Sequence, residues 1–558
     1  MKLSRNRNLF NADCSTIFAY GPQLWQPDGG RFTVEAPRRF VDVMAASDVD
    51  TLVINPNCQV PWYPSKVLPT AWTGYKRGDR EFFRADVAND PDHKGADARI
   101  DEMIRSLDRY VDLVDAGVDW VAEMIAGCRR HGITPWSSVR MNDTHGAAAP
   151  DSFMNYALFR DPKYRLSGRA PNPNDKPFVW FIGLNYEFAE VRDYMMLMIR
   201  ELIEDYDFDG MELDWLRHLP IFEMPATQQN IDTITNWTAE IRGLTEARAR
   251  RTGNRYPLGL RVPSDLDKAR SFGIDVRELA RRGLIDFIVA SNFWQTNWDT
   301  PHDQLRAELG EDVTIYGATE SIANWLEVPS TTATGKDGKP VRHWRWMGAS
   351  PELLRGNAAG KLVLGADGIE QYNFECTDAL IPHMQGDYPA IRGLADLEKL
   401  RGQPKQYTLS TAPAVWWMPP HIEAADQLPA LIEHGSRRAF RLAMCREPLD
   451  RGLALTIQLV IERNSTNNES PITNNGLGLS FNGSWPTFAA QPTDELFFPI
   501  GSFTRYGPEV QGFNYRLDLA DIKEGWNEIV VYYGSHDAIR SRDRMSALRI
   551  ASVELAVT

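Results

Sequence analysis

Eight short apolar runs, separated by stretches of helical periodicity, recur from residue 8 to residue 374, and this rhythm constrains the fold more than any other feature of the chain. The runs are "NLFNADCS" (8–15), "VDTLVINP" (49–56), "GITPWSSVRMND" (132–143), "FDGMELDWL" (208–216), "YPLGLRVP" (256–263), "IDFIVASNF" (285–293), "DVTIYGATE" (312–320) and "GADGIEQYNF" (365–374). Strands that alternate with helices must lie parallel, because each helix carries the chain back across the sheet. Eight such units predict an α/β fold, a closed (β/α)8 barrel of the TIM type. Neither GxGxxG nor GxxxxGK[ST] occurs, so nucleotide-binding sheets lose ground.

After about residue 400 the period changes. "LALTIQLVIERN", "EIVVYYGS" and "ALRIASVELAV" alternate at period two between Asn-, Gly- and Pro-rich turns, which predicts a C-terminal antiparallel β-sandwich. The expected division is therefore a barrel over 1–400 and an accessory sandwich over 401–558. The sandwich would serve structure, dimer formation or sugar binding. In the barrel, residues 57–95 and "PSTTATGKDGKPVRHWRWMG" are long connections of the kind that form lids or specificity walls. The Met-rich period of Val191, Tyr194, Met195, Met198, Ile199, Leu202 and Ile203 reads as a core-facing helix stripe.

The net charge of −14 excludes the basic face that nucleic acid or an anionic membrane would need. Seventeen tryptophans supply a large core and also flat faces for stacking on sugars. The five cysteines lack CxxC spacing and read as reduced, structural thiols. The N-terminal segment has no signal-like apolar run and no window is long enough to span a bilayer, so the expected location is cytoplasmic, a trimmed leader aside.

Barrel active sites lie where the strands end at their C-termini. Those ends offer Asp13; Asn55 and Asn57; Arg140, Asn142, Asp143 and His145; Glu212, Asp214, Arg217 and His218; Arg261; Asn292, Trp294, Gln295 and Trp298; Thr319 and Glu320; and Glu370, Tyr372, Asn373 and Glu375. Acids, amides, arginines and tryptophans together suit a polyhydroxylated substrate. No serine elbow or paired Cys–His motif is visible, which leaves no nucleophilic Ser or Cys enzyme. Asp143, His145, Asp214 and His218 lack any metal-binding spacing, so neither metal nor cofactor is expected. Glycoside hydrolysis needs an acid and a partner that attacks or activates water. Three pairs are open: Glu212 with Glu320, Asp214 with Asp13, or an acid with His145.

Four of these strand ends carry a likeness. "NADCS", "RMNDTH", "ELDWLRH" and "QYNFE", set in a barrel-plus-sandwich layout, resemble the inverting exo-sialidases of glycoside hydrolase family 156. "DGMELDW" and "GADGIEQYNF" also look like the wider group of family-10-like barrel glycosidases. The resemblance implies an inverting hydrolase of terminal sialic acid, acting on sialylated glycans as a homodimer. It implies His145 as the base that activates water, Asp13 as the acid or the group positioning the leaving side, and Arg217 with Asn373 as the grip on the sialic acid carboxylate. Asn142, Trp294 and Glu320 would line the substrate.

Under this reading Glu212 and Asp214 face into the barrel and orient Arg217 or His145. Two other readings stay open. One is a barrel glycosidase for a uronic acid or a neutral sugar, with Glu212 and Asp214 as its catalytic carboxylates. The other is a non-catalytic glycan-binding protein.

Overall fold

The computed structural model describes residues 3–19, 21–88, 95–168, 182–292, 296–334, 340–375, 388–411, 427–462, 476–500, 503–505, 510–534 and 547–558. The barrel strands are β1 (Arg7–Ala12), β2 (Thr51–Ile54), β3 (Thr134–Arg140), β4 (Met211–Asp214), β5 (Leu258–Pro263), β6 (Phe287–Ser291) and β7 (Thr314–Glu320). A hairpin follows, β8 (Ile322–Thr334) with β9 (Pro340–Gly348), and then β10 (Gly368–Tyr372). The strands close a barrel in the order β1-β10-β7-β6-β5-β4-β3-β2. Each of the eight apolar runs thus supplies one strand, because both faces of a parallel barrel strand are buried and its sequence reads as a continuous apolar run.

The connection after β7, expected as an irregular loop, is an antiparallel hairpin with bulges in its register. Its Thr- and Trp-rich arms favour extended backbone. The Met-rich stripe does pack inward: Val191, Tyr194, Met195, Met198, Ile199, Leu202 and Ile203 are all buried in the helix Ala189–Glu204. On that helix Glu201 accepts hydrogen bonds from the Tyr63 hydroxyl (2.7 Å), the Ser65 hydroxyl (2.6 Å) and the Lys66 N–H (2.6 Å), which pins the long connection after β2.

The chain divides into two compact units that interleave in sequence. One comprises 1–293, 306–316 and 370–375; the other comprises 294–305, 317–369 and 376–558. The second unit holds two antiparallel sheets built from β11 (Lys405–Thr408), β12 (Ala430–Ile432), β13 (Ser436–Met444), β14 (Leu455–Glu462), β15 (Leu477–Phe481), β16 (Gln491–Thr493), β19 (Val510–Leu517), β20 (Gly525–Tyr533) and β21 (Leu548–Val557), with a small β17–β18 pair at Glu495–Ile500 and Phe503–Arg505. The larger sheet runs β11-β21-β14-β19-β16, with β12 also on β21, and the smaller runs β13-β20-β15. Among the described residues no helix is long and apolar enough to cross a membrane.

Candidate active site

The first unit gathers an alternating chain of acids and bases at the strand ends. Strands β3 and β4 are paired in register, Arg140 opposite Asp214, and β4 pairs onward to place Asp214 opposite Arg261. Neighbouring strands of a parallel barrel end at one level, so these side chains meet however far apart they lie in sequence. Arg140 forms ion pairs with Asp13 and, at 3.4 Å, with Asp143. Asp143 in turn holds His145, whose Nδ1 lies 2.8 Å from Oδ1 and 3.0 Å from Oδ2. The His145 Nε2 lies 3.3 Å from a terminal nitrogen of Arg217.

This arrangement sets the state of His145. Nδ1 meets the Asp143 carboxylate and Nε2 faces the Arg217 guanidinium, so the two ring nitrogens have different partners. Withdrawal from water lowers the basicity of the ring, but the charge and hydrogen bond of Asp143 outweigh it and the net shift is upward. Asp143 is buried, which raises its pKa, yet its interactions with His145 foremost, hydrogen bond included, and with Arg140 bring it well below the usual carboxylate range. The His145 ring is 31% exposed while Asp143 is 1% exposed, so a buried anion supports a base that solvent and substrate can reach.

His218 sits beside it, its ring 5.0 Å from that of His145 and nearly perpendicular to it. Its backbone is in the left-handed region at φ 63°, unusual for a residue with a branched ring. That twist lets Nδ1 accept the Thr144 N–H at 3.0 Å. Burial and then the charge of Arg217 push His218 well below its ordinary pKa, so it stays neutral.

The loops carrying these groups are held by amides. Asn57 donates to the Arg140 carbonyl (3.0 Å) and accepts from the Arg140 N–H (3.1 Å). Gln59 donates to the Asp143 carbonyl at 2.8 Å. Asn142 donates to the carbonyls of His218 (3.2 Å) and Pro220 (2.8 Å) and accepts from the Leu184 N–H (2.9 Å). Its amide is thus committed to the backbone, a geometry that fastens the loops after β3 and β4 to each other.

Deeper in the barrel lie the strand-four acids. Glu212 accepts from Asn11 (2.9 Å) and from the Ser138 hydroxyl (2.7 Å). Asp214 accepts the Arg217 N–H (3.1 Å), pairs with Arg261 (3.4 Å) and accepts the Tyr372 hydroxyl (2.8 Å). Arg261 stacks over the Tyr372 ring, its guanidinium carbon 3.4 Å from the centroid. Both acids, Glu370 and Arg261 are 0% exposed. Burial first, and the charge of Asp214 next, raise Glu212 to about 7. Burial and the charge of Glu212 lift Glu370 well above the carboxylate range.

Asp13 presents only acceptors: Oδ1 takes the Ser15 N–H (2.8 Å) and hydroxyl (2.6 Å), and Oδ2 pairs with Arg140. Asn373 ends β10 at φ 48° and is nearly buried. Glu320 lies in the second unit, where its N–H donates to the Thr296 hydroxyl at 2.9 Å and its charge works to raise a buried Lys361 that desolvation brings down to about 7. Trp294 and Gln295 lie outside the described residues.

Two contacts were not legible in the sequence. The orienting partner of His145 is Asp143, two residues upstream in "NDTH", and not Glu212 or Asp214; the Asp-x-His spacing was the available signal. The other is Cys58, whose Sγ comes within 4.8 Å of both the Asp143 and His145 ligand atoms. A Cys–His pairing is therefore present in space although no sequence motif shows it, because β2 and β3 bring their loops side by side. The hydrogen bond with the Cys14 thiol, then His145 against burial, lower the Cys58 pKa.

No protein-family model and no curated protein matches the sequence. Among solved structures the chain is similar to an α-L-fucosidase isoenzyme from Paenibacillus thiaminolyticus, at 14% identity and a TM-score of 0.38 over 69% of this chain and 49% of that one. It thus spans about half the length of that fucosidase. It is also similar to an α-amylase from Geobacillus thermoleovorans (12% identity, TM-score 0.35, covering 95% and 99%) and a chitinase from Chromobacterium violaceum (12%, 0.32, covering 70% and 99%). Likeness this remote leaves the chemistry to the residues of the chain itself.

Proposed function

We propose that the protein is a glycoside hydrolase that removes a terminal sialic acid with inversion, His145 activating the attacking water. The observation that carries this is the Asp143–His145–Arg217 alignment: a partly exposed imidazole with a buried carboxylate on one nitrogen and a guanidinium beside the other. A sialoside bears a carboxylate on its anomeric carbon, and a planar guanidinium is the natural counterpart for it. A neutral base next to that carboxylate adds no like charge, whereas a carboxylate nucleophile would be repelled.

The alternatives have weaker geometric support. Glu212 and Asp214 are sealed in the barrel and engaged by Asn11, Ser138, Arg261 and Tyr372. Tyr372 donates to Asp214 at the barrel end, and other sialidases use a tyrosine nucleophile. Here burial and then the charge of Asp214 raise its pKa, and its hydroxyl already serves Asp214. That leaves His145 as the accessible proton acceptor, Arg217 and Asn373 as the grip on the substrate carboxylate, and Asp13, paired with Arg140, as the acid or the group that positions the leaving side. Asn142 acts by fixing the loops.

The test is incubation with 4-methylumbelliferyl α-sialoside, with the first-formed product anomer followed by proton NMR. Release of the β-anomer supports inversion. Cleavage of a uronide or a neutral hexoside with no turnover of any sialoside would sink the sialidase reading.

A further inference from the structure

The thiol of Cys58, a carboxylate oxygen of Asp143 and a ring nitrogen of His145 all lie within 4.8 Å of one another. We propose that these three side chains form a binding site for a thiophilic divalent cation of the zinc class. Sulfur, nitrogen and oxygen in one cluster are the donor set that zinc and cobalt take up, and ligand atoms arranged around one such ion are separated by a few ångströms. Magnesium and calcium, which seek oxygen alone, would not be retained.

The site is built and not merely crowded. Cys58 follows β2 and Asp143 and His145 follow β3, and the two strands pair in register from Thr51 with Thr134 to Ile54 with Ser137. The loops above them are bridged by the Asn57 amide to the Arg140 backbone and by Gln59 to the Asp143 carbonyl. Cys58 and Asp143 are buried and His145 is partly exposed, so the pocket has a fixed floor and an open side through which an ion can enter. Arg140 and Arg217 stand close by and repel a cation. The site should therefore bind reversibly and not as a permanent structural centre. An ion here binds a ring nitrogen of His145 and takes up the Asp143 carboxylate that orients it, so it would act as an inhibitor; that consequence rests on the base role proposed above, whereas the binding itself does not.

The experiment is titration of the metal-free full-length protein with Co2+, read by absorption. One ion per chain should bind, with visible ligand-field bands and a near-ultraviolet thiolate-to-cobalt charge-transfer band. Zn2+ should bleach both. C58S should abolish the charge-transfer band, H145Q should weaken binding at least about tenfold, as the loss of a ligand should, and C128S, altered at a buried cysteine of the helix Trp120–His131, should bind as the unaltered protein does. Absence of the band, or its survival in C58S, would overturn the proposal. If C58S does not fold, X-ray absorption on the zinc-loaded unaltered protein decides the matter: one sulfur at about 2.3 Å is expected, and a shell without sulfur refutes the site. Because these readouts are spectroscopic, a protein that binds cobalt but cleaves no sialoside would refute the reaction and leave the ion site standing.

Discussion

Asp143 Oδ1 lies 2.8 Å from His145 Nδ1 and also accepts the His145 backbone N–H at 3.0 Å, so one buried carboxylate fixes both the ring and the chain that carries it. Orientation and tautomer are set together, two residues apart.

From this pair, His145→Ala should lower kcat by about 10²–10⁴-fold, the usual contribution of a general base. The fold should persist, because the ring is partly exposed. Asp143→Asn should give a smaller loss, since the imidazole remains but its tautomer is no longer imposed. Kinetics on a sialoside, with circular dichroism as the fold check, separate the two effects. Equal activity in His145→Ala and the unaltered protein would remove His145 from the mechanism.

Arg217 should matter more for holding the substrate than for the bond-breaking step. Arg217→Lys keeps the charge but loses the planar, two-point contact. It is expected to raise KM for an anionic sialoside about tenfold or more, a loss of order 1.4 kcal/mol. A substrate amidated at its carboxyl should show no such difference between variant and parent.

Tyr372→Phe removes the hydroxyl that donates to Asp214 at 2.8 Å. Asp214 keeps its bonds to Arg217 and Arg261, so the cost should be about 1–3 kcal/mol of stability, the range for a buried acceptor that loses one partner. Chemical denaturation of both proteins measures it. If Tyr372 were also the nucleophile, this substitution would in addition abolish turnover.

Glu212 is raised to about 7 by burial and the charge of Asp214. A folded pKa above the unfolded one means that the folded state binds the extra proton. This stabilisation is complete below the ordinary carboxylate pKa and is lost as pH rises through about 7. Stability should decline across that window by up to about 1.4 kcal/mol per pH unit for each proton involved. Glu212→Gln, neutral at every pH, should flatten the profile between pH 5 and 8 relative to the unaltered protein. Glu554, raised to about 7 in the second unit by burial, acts with the same sign and leaves a residual slope in the variant.

All eight barrel strands were legible from apolar runs, and the C-terminal sheets from period-two alternation. Both are local properties: whether a side chain faces core or solvent is written into the spacing of its neighbours. The strand ends followed from the same pattern, so Asp13, His145, Glu212, Asp214, Arg217 and Asn373 could be singled out at once. The hairpin of β8 and β9 was missed because its Thr-rich, Gly-containing sequence reads equally well as a loop until the two arms pair.

What the sequence by itself determined was which residues reach the end of the barrel. Only the tertiary structure decided who partners whom there. Glu212 and Asp214 could be read from the sequence as inward supports or as catalytic acids, and only the structure shows that Asn11, Ser138, Arg261 and Tyr372, each from another strand, are their partners. Cys58 looked like an isolated thiol until the loop after β2 met the loop after β3. The physical reason is that a buried charge is tolerable only when paired, and in a barrel the pairing is made around the ring of strands, between residues that the chain itself keeps far apart.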